Sequence, residues 1–155
     1  MMPTPRTLVA AAIAACALAA CGHDDPLSPA TLTGRRYSLE RTGNDAIPII
    51  WSAYQGDTTL LLGDTIIFGA PPHATRVITY HHAFRGEAPR TETFRVEMEF
   101  RTHDGEVEIG WFTPCPPNAD CVANLIGPEI GGALLLIPNN GVPSPLSRYG
   151  LVRGG

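Results

Sequence analysis

From residue 34 onward, apolar positions recur with a period of two and are interrupted at short intervals by Gly, Pro, Asn or Asp. That is the pattern of β-strands joined by turns. The clearest run is 91–102, where Phe94, Val96, Met98 and Phe100 fall on one side and Arg95, Glu97, Glu99 and Arg101 on the other. Residues 75–84 give a second long strand, connected to it by Arg85-Gly86-Glu87-Ala88-Pro89-Arg90. After 102 comes His103-Asp104-Gly105-Glu106. Asp-Gly between alternating segments predicts a type I′ hairpin turn, because both central residues need positive φ. The turn sets His103 opposite Glu106, Phe100 opposite Ile109 and Met98 opposite Trp111, and on the other face Arg101 opposite Glu108. A slip of one residue would turn every side chain to the wrong face, so agreement in both rows supports the register. Val96, Met98, Phe100, Val107, Ile109 and Trp111 are expected in the buried row, and Arg95, Glu97, Arg101 and Glu108 in the wet one.

Shorter segments fill in the rest. Residues 36–41 alternate with Tyr37 and Leu39 on one face, and Thr42-Gly43-Asn44-Asp45 reads as a turn. Residues 47–54 are apolar and aromatic with Pro48 near the start, which suits an edge or strand-entry position. Residues 58–68 read either as two short strands around Gly63-Asp64 or as a loop leading into one strand at 65–68. Residues 131–137 and 148–153 supply the last strands, with a proline-rich connection between them. No window shows a convincing helical period. The fold class is all-β: an antiparallel meander of seven to eight strands closed as a barrel, since closure removes exposed edges. A β-sandwich is the alternative. An immunoglobulin-like sandwich normally has an inter-sheet disulfide, and Cys115 and Cys121 are too close in sequence to bridge two sheets.

The amino terminus has a different character. Arg6 is followed by an apolar stretch and then by Leu18-Ala19-Ala20-Cys21, the order of a secretion signal. Residues 8–20 are shorter than the roughly twenty that a membrane span needs. The pattern of leucine, two small residues and cysteine resembles the bacterial lipoprotein box. In that family the cysteine sulfur receives a diacylglyceryl group and the preceding peptide is removed. The resemblance implies a signal peptide over 1–20, lipid attachment at Cys21 and a membrane anchor of palmitate-like chains. An ordinary signal peptide would leave Cys21 as an unpaired thiol in an oxidising compartment, which is unfavourable. Gly22, where aspartate would favour inner-membrane retention in such lipoproteins, implies the outer membrane, facing the periplasm or the cell surface. Residues 21–33 are polar with prolines and read as the lipidated cysteine plus a flexible tether; 34–155 form one domain.

Removal of Cys16 with the signal and use of Cys21 for lipid leave Cys115 and Cys121. Export makes a local disulfide their natural fate, contributing only about 2 kcal/mol because the loop is short. Free thiols and a metal pair are the alternatives, but no second ligand pair lies near and the spacing is too long for a redox motif.

All eleven basic residues are arginine. Without Arg6, ten face fifteen acidic residues, a formal charge of −5. A mildly acidic chain with no basic cluster offers no footprint for nucleic acid, so the membrane association must come from lipid. No Gly-x-Ser-x-Gly, phosphate-binding glycine loop or His-Glu-x-x-His occurs, and neither catalysis, nor a metal, nor a cofactor is expected. His81 and His82 are adjacent and point to opposite sides of a strand; His82 shares a face with Ile78, Tyr80 and Phe84 and could enter a barrel interior. His73, His81 and His103 are expected at the surface or in loops, and Glu97, Glu99, Glu106 and Glu108 on a solvated outer face. Trp51, Trp111, Phe94 and Phe100 fill a core or line a cavity.

The order Gly34-x-x-Tyr37-x-Leu39, Gly63-Asp64-Thr65-Ile66-Ile67-Phe68, a long hairpin, Gly105-x-Val107-x-Ile109, the Cys115 to Cys121 segment and a closing Arg148-Tyr149-x-Leu151-Val152-Arg153 resembles small bacterial lipoproteins of lipocalin-like type. The resemblance implies a barrel at the cell envelope and no established activity. Two functions are compatible with it. One is a monomeric barrel that binds a small apolar ligand or an envelope protein, with Tyr80, His82 and Trp111 as candidate ligand-binding residues. The other is a structural or inhibitor-type protein without a cavity.

Overall fold

The two long alternating runs become the centre of a closed antiparallel barrel. The computed structural model describes residues 27–112, 124–139 and 143–153; the expected signal, Cys21, and the Cys115 and Cys121 pair lie outside them. Ten strands form in chain order: β1 Arg36–Thr42, β2 Asp45–Ala46, β3 Ile49–Tyr54, β4 Asp57–Phe68, β5 His73–Ala83, β6 Arg90–His103, β7 Glu106–Gly110, β8 Leu125–Ile130, β9 Ala133–Pro138 and β10 Ser147–Leu151. Eight of them make the ring β1-β10-β9-β8-β7-β6-β5-β4, which closes where β4 pairs with β1. The barrel is thus the architecture formed, not the sandwich. Its interior carries Tyr37, Ile66, Phe68, Phe100, Ile109, Leu134 and Leu136, all buried. Tyr37 and Phe100 each meet Phe68 edge to face, at 5.8 and 4.9 Å between centroids.

The hairpin register is the one expected. Phe100 pairs with Ile109, Arg101 with Glu108 and His103 with Glu106, while Asp104 and Gly105 take φ of 50° and 78°. Two residues differ in exposure from what their rows predict. Trp111 is exposed because β7 ends at Gly110 and the Trp111 backbone N–H donates to Asn124 Oδ1 at 2.9 Å, which takes the chain out of the ladder. Glu108 does lie on the outer face, but it is covered there, its side chain only 5% exposed. It accepts hydrogen bonds from Arg101 Nε (2.7 Å) and from Asn139 Nδ2 (3.2 Å), with Asn124 Nδ2 at 3.4 Å. Burial works to raise its pKa, but the bonds from Arg101 and Asn139, with the Arg101 charge, outweigh it and hold the carboxyl below its usual range. The folded state therefore binds this proton more weakly than the unfolded chain. The stability is present above about pH 4.3 and is lost as pH falls through the folded value. Glu108→Gln is expected to cost about 1–2 kcal/mol at neutral pH, with the gap to wild type shrinking in acid. Urea titrations at several pH values measure this, and a gap independent of pH contradicts it.

Residues 58–68 form one strand and not two, with a β-bulge at Leu62 that shifts the pairing between Leu61 and Gly63. The bulge turns Leu61 inward and Leu62 outward. β4 then divides its edge. Thr65–Ile67 pairs with β1, whereas Asp57–Leu61 pairs with the inserted strand β3. β1 likewise gives Arg41 and Thr42 to β2. The wall is therefore split at one end, and β3, β4, β5 and β6 project there as an overhang past the end of β7, whose last partner on β6 is Glu99. β3 is an edge strand, as Pro48 suggested.

The opposite end is plugged. Leu27 and Leu32 are buried in the core, and the helical turn α1 Pro29–Leu32, which ends on the second of them, is capped by Ser28, with proline at its start. The Gly34 N–H donates to Phe68 O at 2.8 Å, tying this segment to the end of β4. Residues 27–33 therefore pack with the barrel, against the expectation that they are part of a flexible tether over 21–33; residues 21–26 lie outside the described residues. The prolines and polar residues suggested an extended leash, but two leucines in that stretch gain more by entering the core than by facing water.

Candidate ligand-binding site at the barrel mouth

At the split end, the ladder puts unlike residues on the interior face. Asp64 stands two positions before Ile66 on β4, and Arg76 two before Ile78 on β5, so both charges point where their neighbours are apolar. They meet as a fork. Arg76 Nε lies 3.0 and 3.1 Å from the two Asp64 oxygens, and Nη2 lies 2.6 Å from Oδ2. The Tyr149 hydroxyl, from β10 across the interior, donates to Asp64 Oδ2 at 2.7 Å. The Asp64 side chain is 1% exposed and that of Arg76 is 14% exposed. Burial alone would lower the Arg76 pKa, but the bonds and charge of Asp64 leave it raised, so the guanidinium stays charged. Burial, followed by the Asp64 charge, pushes the Tyr149 phenol up, which keeps it a donor.

Above this pair lies an open cavity of about 290 Å³, with Leu39, Leu61, Leu125 and Trp51 among its walls. Its size is near the lower end of small-ligand pockets, and its lining is of their kind: mostly apolar, with a few convergent polar groups. Trp51 is the bulged residue of β3, between Ile50 and Ser52, and its ring reaches Tyr80 at 6.0 Å between centroids. Tyr80 also meets His82 at 6.0 Å and Phe94 at 6.1 Å. Trp51, Tyr80, Phe94 and His82 thus line a second hollow on the inner face of the overhang, sharing Trp51 with the first. Burial raises the Tyr80 pKa; Arg76 opposes that shift and Asp64 adds to it.

Of the expected ligand-binding residues, Tyr80 and His82 come together here and Trp111 does not. Trp111 borders a separate outer hollow with His73, Glu97, Glu99 and Phe112. Phe100 is core, whereas Phe94 and Trp51 line the mouth. His82 Nδ1 pairs with Thr59 Oγ1 at 3.1 Å, and Nε2 is buried 3.8 Å from Glu92 Oε2. That second distance is not a hydrogen bond, and Glu92 is held by Arg90 at 2.9 Å, so the imidazole is positioned more than Thr59 is activated. Asp64, Arg76 and Tyr149 were missed by sequence reasoning. A usable signal existed: opposite charges stand in phase with two adjacent apolar rows, and charge in a buried row needs a partner.

No family model, curated protein or solved structure matches the chain.

Proposed function

We propose that the protein is a lipid-anchored lipoprotein of the cell envelope, attached through Cys21 to the outer membrane, whose barrel mouth takes up a small and largely apolar ligand. The observation that carries this reading is the mouth itself: an open cavity walled by leucines and Trp51, floored by a buried ion pair and continued by an aromatic overhang. Among the described residues, no side chains fill that end in the way that Leu27 and Leu32 fill the plugged one. The anchor is supported by Leu18-Ala19-Ala20-Cys21. Export to an oxidising compartment would also join Cys115 to Cys121. A second reading, a partner protein, is favoured by the exposure of Ile50, Trp51 and Tyr54 on edge strand β3.

Native mass spectrometry of the full chain purified from its host tests the ligand. A co-purifying small molecule, released on denaturation, is expected; an unliganded mass throughout, or a stoichiometric protein partner in its place, counts against it. For the anchor, Cys21→Ala is expected to lose palmitate labelling and membrane fractionation together. Undiminished labelling of that variant would refute lipidation at Cys21.

A further inference from the structure

We infer that the mouth selects ligands whose apolar body ends in an uncharged hydrogen-bond acceptor, such as a carboxamide or ketone oxygen, and that Asp64 sets this preference by neutralising Arg76. The inference deepens the ligand-binding reading above and rests on it.

A guanidinium has five N–H donors. Asp64 takes Nε–H and one N–H of Nη2. The others have no acceptor among the described residues, while the Arg76 side chain, 14% exposed, borders the cavity. These donors border a cavity whose wall is mostly apolar, with Trp51 and three leucines, and which also carries the hydroxyl residues Thr42, Ser144 and Ser147. That space favours a ligand with one acceptor and a body that likes leucine. Water can occupy the donors, but it gains nothing from the apolar wall.

The sign of the ligand's charge follows from the pair. Asp64 and Arg76 are the charged residues among the described lining, and they cancel. A carboxylate entering here would give up its hydration to meet a cation already paired in fork geometry, and would lie close to the Asp64 charge. A neutral oxygen accepts the same charge-assisted bonds without bringing a charge into the cavity. Tyr149, which donates to Asp64, keeps the carboxylate aimed at Arg76 and away from the ligand.

Calorimetric titration of the full chain with naphthamide and naphthoate near neutral pH tests this, because the two probes share a body and differ in head-group charge. Naphthamide is expected to bind at least about ten-fold more tightly. Asp64→Asn removes the counter-ion at constant shape and should invert the order, with naphthoate bound more tightly. Trp51→Ala should weaken both probes by roughly three-fold or more, which ties them to the mouth. Equal or reversed affinities on the wild type overturn the inference, as does an unchanged order in a folded Asp64→Asn variant or indifference to Trp51→Ala. If Asp64→Asn does not fold, the wild-type comparison decides alone. Binding of neither probe would count against the ligand-binding reading itself, a different failure from binding without discrimination.

Discussion

Arg76→Met is expected to destabilise the barrel by about 3–5 kcal/mol, among the largest effects of any single substitution here. The loss comes less from the missing attraction than from what remains. Asp64, 1% exposed, would be left buried without its counter-ion, with the Tyr149 hydroxyl as its one remaining side-chain donor among the described residues. Removing both members should therefore be much milder than removing one. Arg76→Met combined with Asp64→Leu is expected to recover most of the stability, since well-packed apolar residues often replace a buried pair at little cost. Urea denaturation of the two variants against wild type gives the comparison. A double variant as unstable as the single one would mean that the pair does more than balance charge, and a single variant within about 1 kcal/mol of wild type would mean that the site is wetter than its geometry indicates.

Phe100→Ala is expected to cost about 3–5 kcal/mol, and Phe94→Ala no more than about 1 kcal/mol. The two residues lie in one row of one strand. Phe100 is 2% exposed and packs edge to face on Phe68, whereas Phe94 is 46% exposed on the overhang. Thermal melts of both variants decide the matter. Similar losses at the two positions would show that the overhang is as tightly packed as the closed part of the barrel, and would remove the open hollow beside Tyr80.

That contrast also marks where the sequence could be read and where it could not. Strands with one wet and one buried face announce themselves by alternation, and Asp104-Gly105 fixed the pairing of β6 with β7 because only one register satisfies both faces. Alternation says which residues share a face but not how far along the strand a partner continues. Phe94 and Phe100 are indistinguishable in pattern, and their different fates depend on β7 stopping at Gly110. The same limit hid Trp111, which lies just past that stop. Glu108 was misjudged for another reason: its cover comes from Asn124 and Asn139, distant in sequence. The ion pair lay in view, but Gly63-Asp64 resembles a turn, and the bulge at Leu62 that settles the phase of β4 has no local signature. Tyr80 and His82, named from sequence as ligand-binding candidates, were placed on one face by the rule that every second residue of an unbulged strand faces the same way.

The buried leucine plug has a geometric consequence for how the molecule stands. If Cys21 carries lipid, the stretch from there to Leu27 can span at most roughly 20 Å, and Leu27 sits at the closed end. The barrel would then rest plug-down on the bilayer. The fourteen residues of β6 extend roughly 45 Å along the strand at about 3.3 Å each, less along the axis of a barrel whose strands tilt, so in that orientation the mouth would face away from the headgroups. On the proposed reading of an anchored, ligand-binding barrel, a ligand would then reach the mouth through the aqueous phase and not sideways from the bilayer.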